Sequence, residues 1–296
     1  MDCLVTANTK FCVDFFQELS KGDERANIFI CPLSISVAFG MISLGAKRST
    51  ADQINEVSAC CHVLHTFELT NTKSASDGYR DSDSYFGKLL KKLDSIKSDY
   101  TLSMANRLYG EQEFPISQKN VKMMRQQNTF RIGYIEELKT QILEMNYIKG
   151  KLSMFVLLPT LPLEKQMTHE KITEWTSSTI LCEEKVDVSF PQLTMESNLD
   201  LNFILQKMGI TDIFDEAKSD LSGMSSSPNL YLSKAVHKTF VEVNEDGTQA
   251  AAATGAVVTA KSASPYVTFN ANHPFLFFIK HNKTDTILFY GKVCSP

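Results

Sequence analysis

The spacing of apolar residues changes along this chain, and that change restricts the fold more than any other feature. In the first segment, Phe11, Phe15, Phe16 and Leu19 recur at helical spacing. After residue 121, apolar residues alternate with polar ones or form short runs bounded by turn residues, which is typical of strands. Helices that cluster before a series of antiparallel strands indicate the α+β class.

The same patterns predict individual elements. We expect helices over residues 4–20, 32–46, 49–57, 85–96, 171–178 and 201–209, with Ser49 or Thr50 as the cap of the third. We expect strands over residues 27–31, 101–111, 130–138, 140–148, 151–159, 231–245, 266–282 and 284–296. The polar segment 65–84 is interpreted as an interhelical loop. No linker or internal repeat interrupts the chain, so residues 1–296 are assigned to a single domain.

Composition narrows the classes of protein that this chain can belong to. With 43% hydrophobic and 22% charged residues, the chain is ordinary for a globular protein, and its net charge of −4 argues against nucleic acid as a partner. We find neither a signal peptide nor an apolar run long enough to span a membrane. The seven cysteines lack metal-ligand spacing and are interpreted as reduced thiols. We therefore expect a cytoplasmic protein, with release to the extracellular space as the alternative.

Motifs of catalysis are missing from the sequence. It contains no G-x-S-x-G, S-x-x-K or H-E-x-x-H motif and no glycine-rich phosphate loop, and its six histidines show no metal spacing. We therefore expect no catalytic residue, no metal and no cofactor. A Ser-His-Asp triad assembled in space stays open as the alternative.

An unusual small-residue segment precedes the last strands. Residues 245–264 read EDGTQAAAATGAVVTAKSAS, and Lys261 is the only Asp, Glu, Lys or Arg between Asp246 and Lys280. Alanine favours helices, yet the segment has no amphipathic stripe and contains glycine and β-branched residues. Taken alone, it could equally be an alanine-rich solvent loop or a short helix, and Lys261 an ordinary surface lysine.

Three stretches carry a family resemblance. Residues 27–54, 236–258 and 269–293, which include VHKTFVEVNEDGTQAAAATGAVV and FNANHPFLFFI, resemble the serpin family. The resemblance extends over essentially the whole chain and is closest to the intracellular ovalbumin-like clade. It implies the serpin fold, with antiparallel sheets and an exposed reactive loop at about residues 247–266.

The resemblance also implies a mechanism and a partner. A serine protease of trypsin-like specificity would cleave the bond between Lys261 and Ser262, and the cut loop would insert into a β-sheet and trap the protease. The protein would thus be an inhibitor and not an enzyme, and a monomer at risk of polymerising. The hinge of the loop would comprise Glu245, Gly247, Thr248, Ala250, Ala251, Ala252, Ala253 and Thr254.

Two departures from the family pattern bear on inhibition. Of the family's buried polar cluster, Ser34 and His237 match, but Cys31 replaces a serine and an asparagine has no counterpart. His237 could instead be a core histidine with other partners. In addition, an internal segment that carries the central strand is missing near residues 116–121, so we expect an incomplete central sheet. A non-inhibitory serpin or a simple protease substrate is therefore the alternative function.

Overall fold

The computed structural model describes residues 2–22, 26–58, 122–147, 150–160, 163–225, 230–243, 266–294 and 296. The chain divides into two compact units. The helical unit comprises residues 1–11, 32–108 and 199–237, and the sheet unit comprises residues 12–31, 109–198 and 238–296. The single domain expected over the whole chain stays a prediction.

Five of the six predicted helices lie among the described residues, and each of these forms within a few residues of its predicted bounds. The described helices are α1 (Asp2–Ser20), α2 (Pro32–Ser43), α3 (Arg48–Ser58), α4 (His169–Trp175) and α5 (Leu201–Lys207). Pro32 stands at the first position of α2, where its missing N–H removes no helical hydrogen bond. Side-chain oxygens of Thr168 and Asp200 accept hydrogen bonds from the first turns of α4 and α5.

Most of the described strands form one large sheet. The strands are β1 (Ile28–Ile30), β2 (Met123–Ile135), β3 (Thr140–Asn146), β4 (Leu152–Pro159), β5 (Cys182–Pro191), β6 (Leu193–Asp200), β7 (Val236–Val243), β8 (Val267–Asn270), β9 (Phe275–His281) and β10 (Thr286–Val293). Eight of them pair in the order β1-β10-β9-β4-β3-β2-β5-β8, and β6 pairs with β7 in a sheet of two. This architecture confirms the α+β class and the expected meander, in which β2, β3 and β4 are antiparallel neighbours.

The core of the sheet unit is aromatic. The ring of Phe29 stacks on Phe289 and Phe277, with centroids 5.4 and 6.0 Å apart. Gly291 leaves room for this packing, since a Cβ there would lie 2.4 Å from the Phe277 ring. Offset-stacked aromatic pairs stabilise a core beyond the apolar area that they bury.

One strand pair differs from the antiparallel sheets that the sequence predicts. β5 and β8 are parallel, with Val186 opposite Val267 and Ser189 opposite Asn270. Parallel neighbours need a long connection, and the chain between β5 and β8 includes β6, α5 and β7. The large sheet is therefore mixed.

Several predicted strands have the wrong bounds. The strand predicted over 130–138 extends instead from Met123 to Ile135 and is followed by the 3₁₀ turn Glu136–Leu138, and the strand predicted over 284–296 ends at Val293. The strand predicted over 231–245 begins only at Val236, because the side chain of Asn202 binds the preceding backbone, donating to Ser233 O at 2.9 Å and accepting from Ala235 N at 2.8 Å. The strand predicted over 266–282 is interrupted between Asn270 and Phe275 and forms β8 and β9. Pro274, which has no N–H for a ladder, precedes the second strand.

The start of helix α3 also differs from the prediction. α3 begins at Arg48, so Ser49 and Thr50 lie inside its first turn and the predicted cap is wrong. The buried Thr50 hydroxyl instead accepts a hydrogen bond from Asp220 N at 3.0 Å.

Strands β5 and β6 are not among the predicted elements, although Val186, Val188 and Phe190 alternate as strand residues do. The predicted loop 65–84, helix 85–96 and strand 101–111 lie outside the described residues.

We expect the substitution Gly133→Ala to destabilise the protein. A Cβ at this position of β2 would lie 2.4 Å from the carbonyl oxygen of Ile180, and backbone cannot move aside as a flexible side chain can. We expect a loss of about 1–3 kcal/mol in the free energy of unfolding, measured by denaturant titration. Gly22→Ala is the matched control, since its nearest atom would be Leu19 O at 3.5 Å. Equal stability of both variants would contradict the assigned close approach.

Candidate functional site

The predicted reactive segment lies between two strands of the sheet unit. Residues 244–265 are outside the described residues, and they include the predicted scissile bond of Lys261 and Ser262 and the hinge residues Glu245, Gly247, Thr248, Ala250, Ala251, Ala252, Ala253 and Thr254. β7 ends at Val243 immediately before this segment, and β8 begins at Val267 just after it. The described part of the candidate site therefore consists of the two strands that precede and follow the segment.

Alternation along β7 separates a buried face from an exposed one. His237, Thr239 and Val243 are buried, whereas Lys238 and Phe240 on the opposite face are exposed. The Lys238 Nζ atom lies 2.6 Å from the Glu196 carboxylate of β6, the strand that pairs with β7. β-branched residues in alternation favour a half-buried strand of this kind.

A buried hydrogen bond attaches β7 to the large sheet. The Thr239 hydroxyl donates to the backbone oxygen of Phe29 in β1 at 2.9 Å. Thr239 is 6% exposed, so loss of this bond would leave a buried carbonyl without that partner. The bond attaches β7 to β1 at Thr239, four residues before β7 ends at Val243. The sequence pattern alone gives only the inward orientation of Thr239, through its place in the alternation, and not its hydrogen-bond partner.

Burial determines the protonation state of His237. The side chain is 5% exposed, and burial lowers the pKa of His237 from its ordinary 6.5 to about 4. The imidazole is therefore neutral at neutral pH. Ser34, the other predicted member of the polar cluster, is also buried, at 8% exposed. Both residues belong to the helical unit, and their joint role in one cluster stays a prediction.

β8, which follows the predicted reactive segment, is positioned by its neighbour β5. Phe269 of β8 is fully buried, and Ala271 N donates to Ser189 O at 2.9 Å, which extends the parallel pairing by one bond. β5 is joined to β2 by Asp187, whose carboxylate accepts from Arg125 Nε at 2.8 Å and from Gln127 Nε2 at 2.9 Å. These hydrogen bonds, with that of Arg125 the strongest, lower the pKa of Asp187 to about 2.

Other kinds of site are missing from the described part of the chain. No three His, Cys, Asp or Glu side chains come together there as metal ligands would. None of the described helices combines the length and apolar character that crossing a bilayer requires. Cys12, Cys31, Cys182 and Cys294 carry thiols rather than disulfides.

Comparison with known proteins identifies the family. The family model of serpins, described as serine protease inhibitors, matches residues 6–119 and 117–296. The chain belongs to the serpin family. This assignment confirms the resemblance carried by the alanine-rich segment and the final strands.

Individual serpins are similar over their full length. Human Serpin B12 is 46% identical over 411 aligned positions, and mouse leukocyte elastase inhibitor A is 34% identical over 395, each alignment covering all of both chains. Among solved structures, uncleaved ovalbumin matches with a TM-score of 0.74 and 29% identity over 99% of this chain and 100% of its own. The ovalbumin-like character expected from the sequence is thereby confirmed.

The comparisons also bear on the predicted internal gap. The family model matches this serpin in two pieces that meet at residues 117–119. The alignment with human Serpin B12 has 411 positions for the 296 residues of this chain, which leaves 115 positions without a counterpart. The prediction of a missing segment near residues 116–121 is confirmed.

We expect the stability of this serpin to fall as the pH drops from 6.5 to 4, in part through His237. The folded pKa of about 4 lies below the unfolded value of 6.5, so within this window the unfolded chain binds a proton that the folded chain does not. The difference corresponds to roughly 3 kcal/mol, fully available above pH 6.5 and lost towards pH 4.

The test compares thermal melting across this pH range for three proteins. His237→Gln should flatten the loss of stability relative to wild type, whereas His273→Gln, at an exposed position, should leave it unchanged. An unaltered pH profile in His237→Gln would rule out this contribution.

Proposed function

We propose that this serpin inhibits a serine protease of trypsin-like specificity by cleavage and insertion of its reactive loop. The observation that carries the proposal is the continuity of β7 with residues 244–258. A half-buried, hydrogen-bonded strand is followed, after the acidic pair Glu245 and Asp246, by a segment of small, uncharged residues. Membership of the serpin family supports this use of the segment.

Side-chain size along the segment supports insertion as a strand. In extended conformation, one face would carry Thr248, Ala250, Ala252, Thr254, Ala256 and Val258. None of these side chains is charged and none is larger than valine, so this face can enter a closed core without burying a charge. Insertion would add roughly ten ladder hydrogen bonds at about 1 kcal/mol each, enough to drive a conformational switch.

The position of Lys261 supports the trypsin-like specificity. A lysine before the scissile bond fits a protease pocket with a carboxylate at its base. The protease serine would attack the carbonyl carbon of Lys261, form an ester with it and release the amino group of Ser262. Insertion of the severed segment would then move the acylated protease and distort its active site before water completes hydrolysis.

Incubation with trypsin tests this proposal. We expect a covalent complex that survives denaturing electrophoresis and contains one molecule of each protein. Lys261→Ala should abolish the complex, whereas Lys283→Ala, at an exposed lysine in the turn between β9 and β10, should leave it intact. Cleaved serpin without any covalent complex would contradict inhibition by trapping.

A second candidate function follows from the missing segment. Without the 115 positions found in human Serpin B12, an inserted loop would lack part of the sheet that receives it. Among the described residues β7 pairs with β6, in a sheet of two strands. The protein would then bind the protease and be cut between Lys261 and Ser262 without trapping it.

The melting temperature after cleavage separates the two candidates. An inserting serpin should melt at a clearly higher temperature once cut, because the new strand adds ladder hydrogen bonds. A serpin that acts only as a substrate should melt at the same or a lower temperature.

We further propose a reducing, cytoplasmic setting, which the thiols of Cys12, Cys31, Cys182 and Cys294 support.

A further inference from the structure

The hydroxyl of Tyr290 is a buried polar group that the proposed mechanism does not use. Tyr290 lies in β10 with no exposed surface, and its Oη atom has no hydrogen-bond partner in the described part of the chain. Its ring is fixed between Phe16 of α1, with centroids 4.7 Å apart, and Phe278 of β9, stacked at 6.2 Å. The direction of the hydroxyl is thus set by packing, and the group cannot turn outward to solvent.

A polar turn lies beside this hydroxyl. Lys292 is two residues along β10 from Tyr290 and therefore on the same face. Its Nζ atom lies 2.7 Å from Glu164 Oε1, and the two side chains are 8% and 19% exposed. Gln17 of α1 donates to Met167 O at 3.0 Å. The 3₁₀ turn Glu164–Gln166 is thereby held to both α1 and β10.

A thiol also lies near the hydroxyl. Cys12 is fully buried and precedes Phe16 by one helical turn, so both side chains lie on the same face of α1. Burial raises the pKa of Tyr290 well above its ordinary value, and the nearby Cys12 and Glu164 raise it further. The phenol therefore stays a neutral O–H donor near a thiol sulfur and a carboxylate, both beyond hydrogen-bond distance.

We propose that one ordered water molecule binds among Tyr290, Glu164 and Cys12 in the sheet unit. The water would accept the Tyr290 O–H and donate to the Glu164 carboxylate and the Cys12 sulfur. Buried waters of globular proteins have two to four polar partners of this kind and satisfy groups that otherwise have none. In this site the water connects α1, β10 and the 3₁₀ turn, so it is a structural part of their packing.

Removal of the Tyr290 hydroxyl distinguishes a site that contains water from one that does not, because the melting temperature changes in opposite directions in the two cases. If the hydroxyl binds water, Tyr290→Phe leaves that water without one of its hydrogen-bond partners and should lower the melting temperature by about 2–4 °C. If the hydroxyl is buried without any partner, the same substitution removes an unsatisfied group and should leave the protein equally or more stable. The rings of Phe16 and Phe278 keep their contacts in either case.

Thermal melting of the full chain with two tyrosine variants is the experiment. Tyr134→Phe, at a tyrosine that is 46% exposed, is the matched control and should melt with wild type. A crystal structure should also contain a water within hydrogen-bond distance of Tyr290 Oη that is lost or displaced in Tyr290→Phe. A melting temperature of Tyr290→Phe at or above that of wild type overturns the proposal, and so does an electron-density map without that water.

Discussion

Backbone hydrogen bonding within the eight-stranded sheet is the constraint on which the sheet unit depends. Strands β4, β9 and β10 are buried along almost their whole length, so water cannot satisfy their N–H and C=O groups. These strands must pair on both sides, and their pairing positions β1 on one side and β5 and β8 on the other. Both outer strands are connected to the chain that flanks the predicted reactive segment: β1 accepts the Thr239 hydrogen bond from β7, and β8 begins just after the segment.

The proposed inhibition places two opposing physical requirements on residues 244–265. While intact the segment would have to present Lys261 to a protease, and once cut it would have to enter a sheet. Small side chains reconcile the two, because they form few contacts that would hold the segment outside and require little space inside. The two proposed functions therefore differ in the sheet that receives the segment and not in the segment itself. The internal gap at residues 117–119 is expected, from the serpin resemblance, to affect that receiving sheet.

Local spacing predicted most helices and the antiparallel strands, because those elements depend on residues a few positions apart. It failed where a distant group changed the local outcome. The Asn202 side chain binds the backbone of residues 233 and 235, so these residues do not join β7 although they belong to its alternating pattern. The Thr50 hydroxyl accepts a hydrogen bond from Asp220 N and therefore does not cap α3. The family and its internal gap could be predicted because the motifs of the final strands and of the alanine-rich segment are specific. Strands β5 and β6 also alternate in sequence, but charged residues at the start of β5 obscure the pattern, and the sequence analysis does not predict these two strands.

The sequence by itself determined the α+β class, the family, the uncharged character of the reactive segment and the isolation of Lys261, since each is a property of neighbouring residues. Only the tertiary structure decided the parallel pairing of β5 with β8, the bond from Thr239 to Phe29, the lowered pKa of His237 and the orphaned hydroxyl of Tyr290. These depend on partners far apart in the chain, 210 residues for Thr239 and Phe29. Hydrogen bonding and burial act between groups that folding brings together, and local spacing does not specify which groups those are.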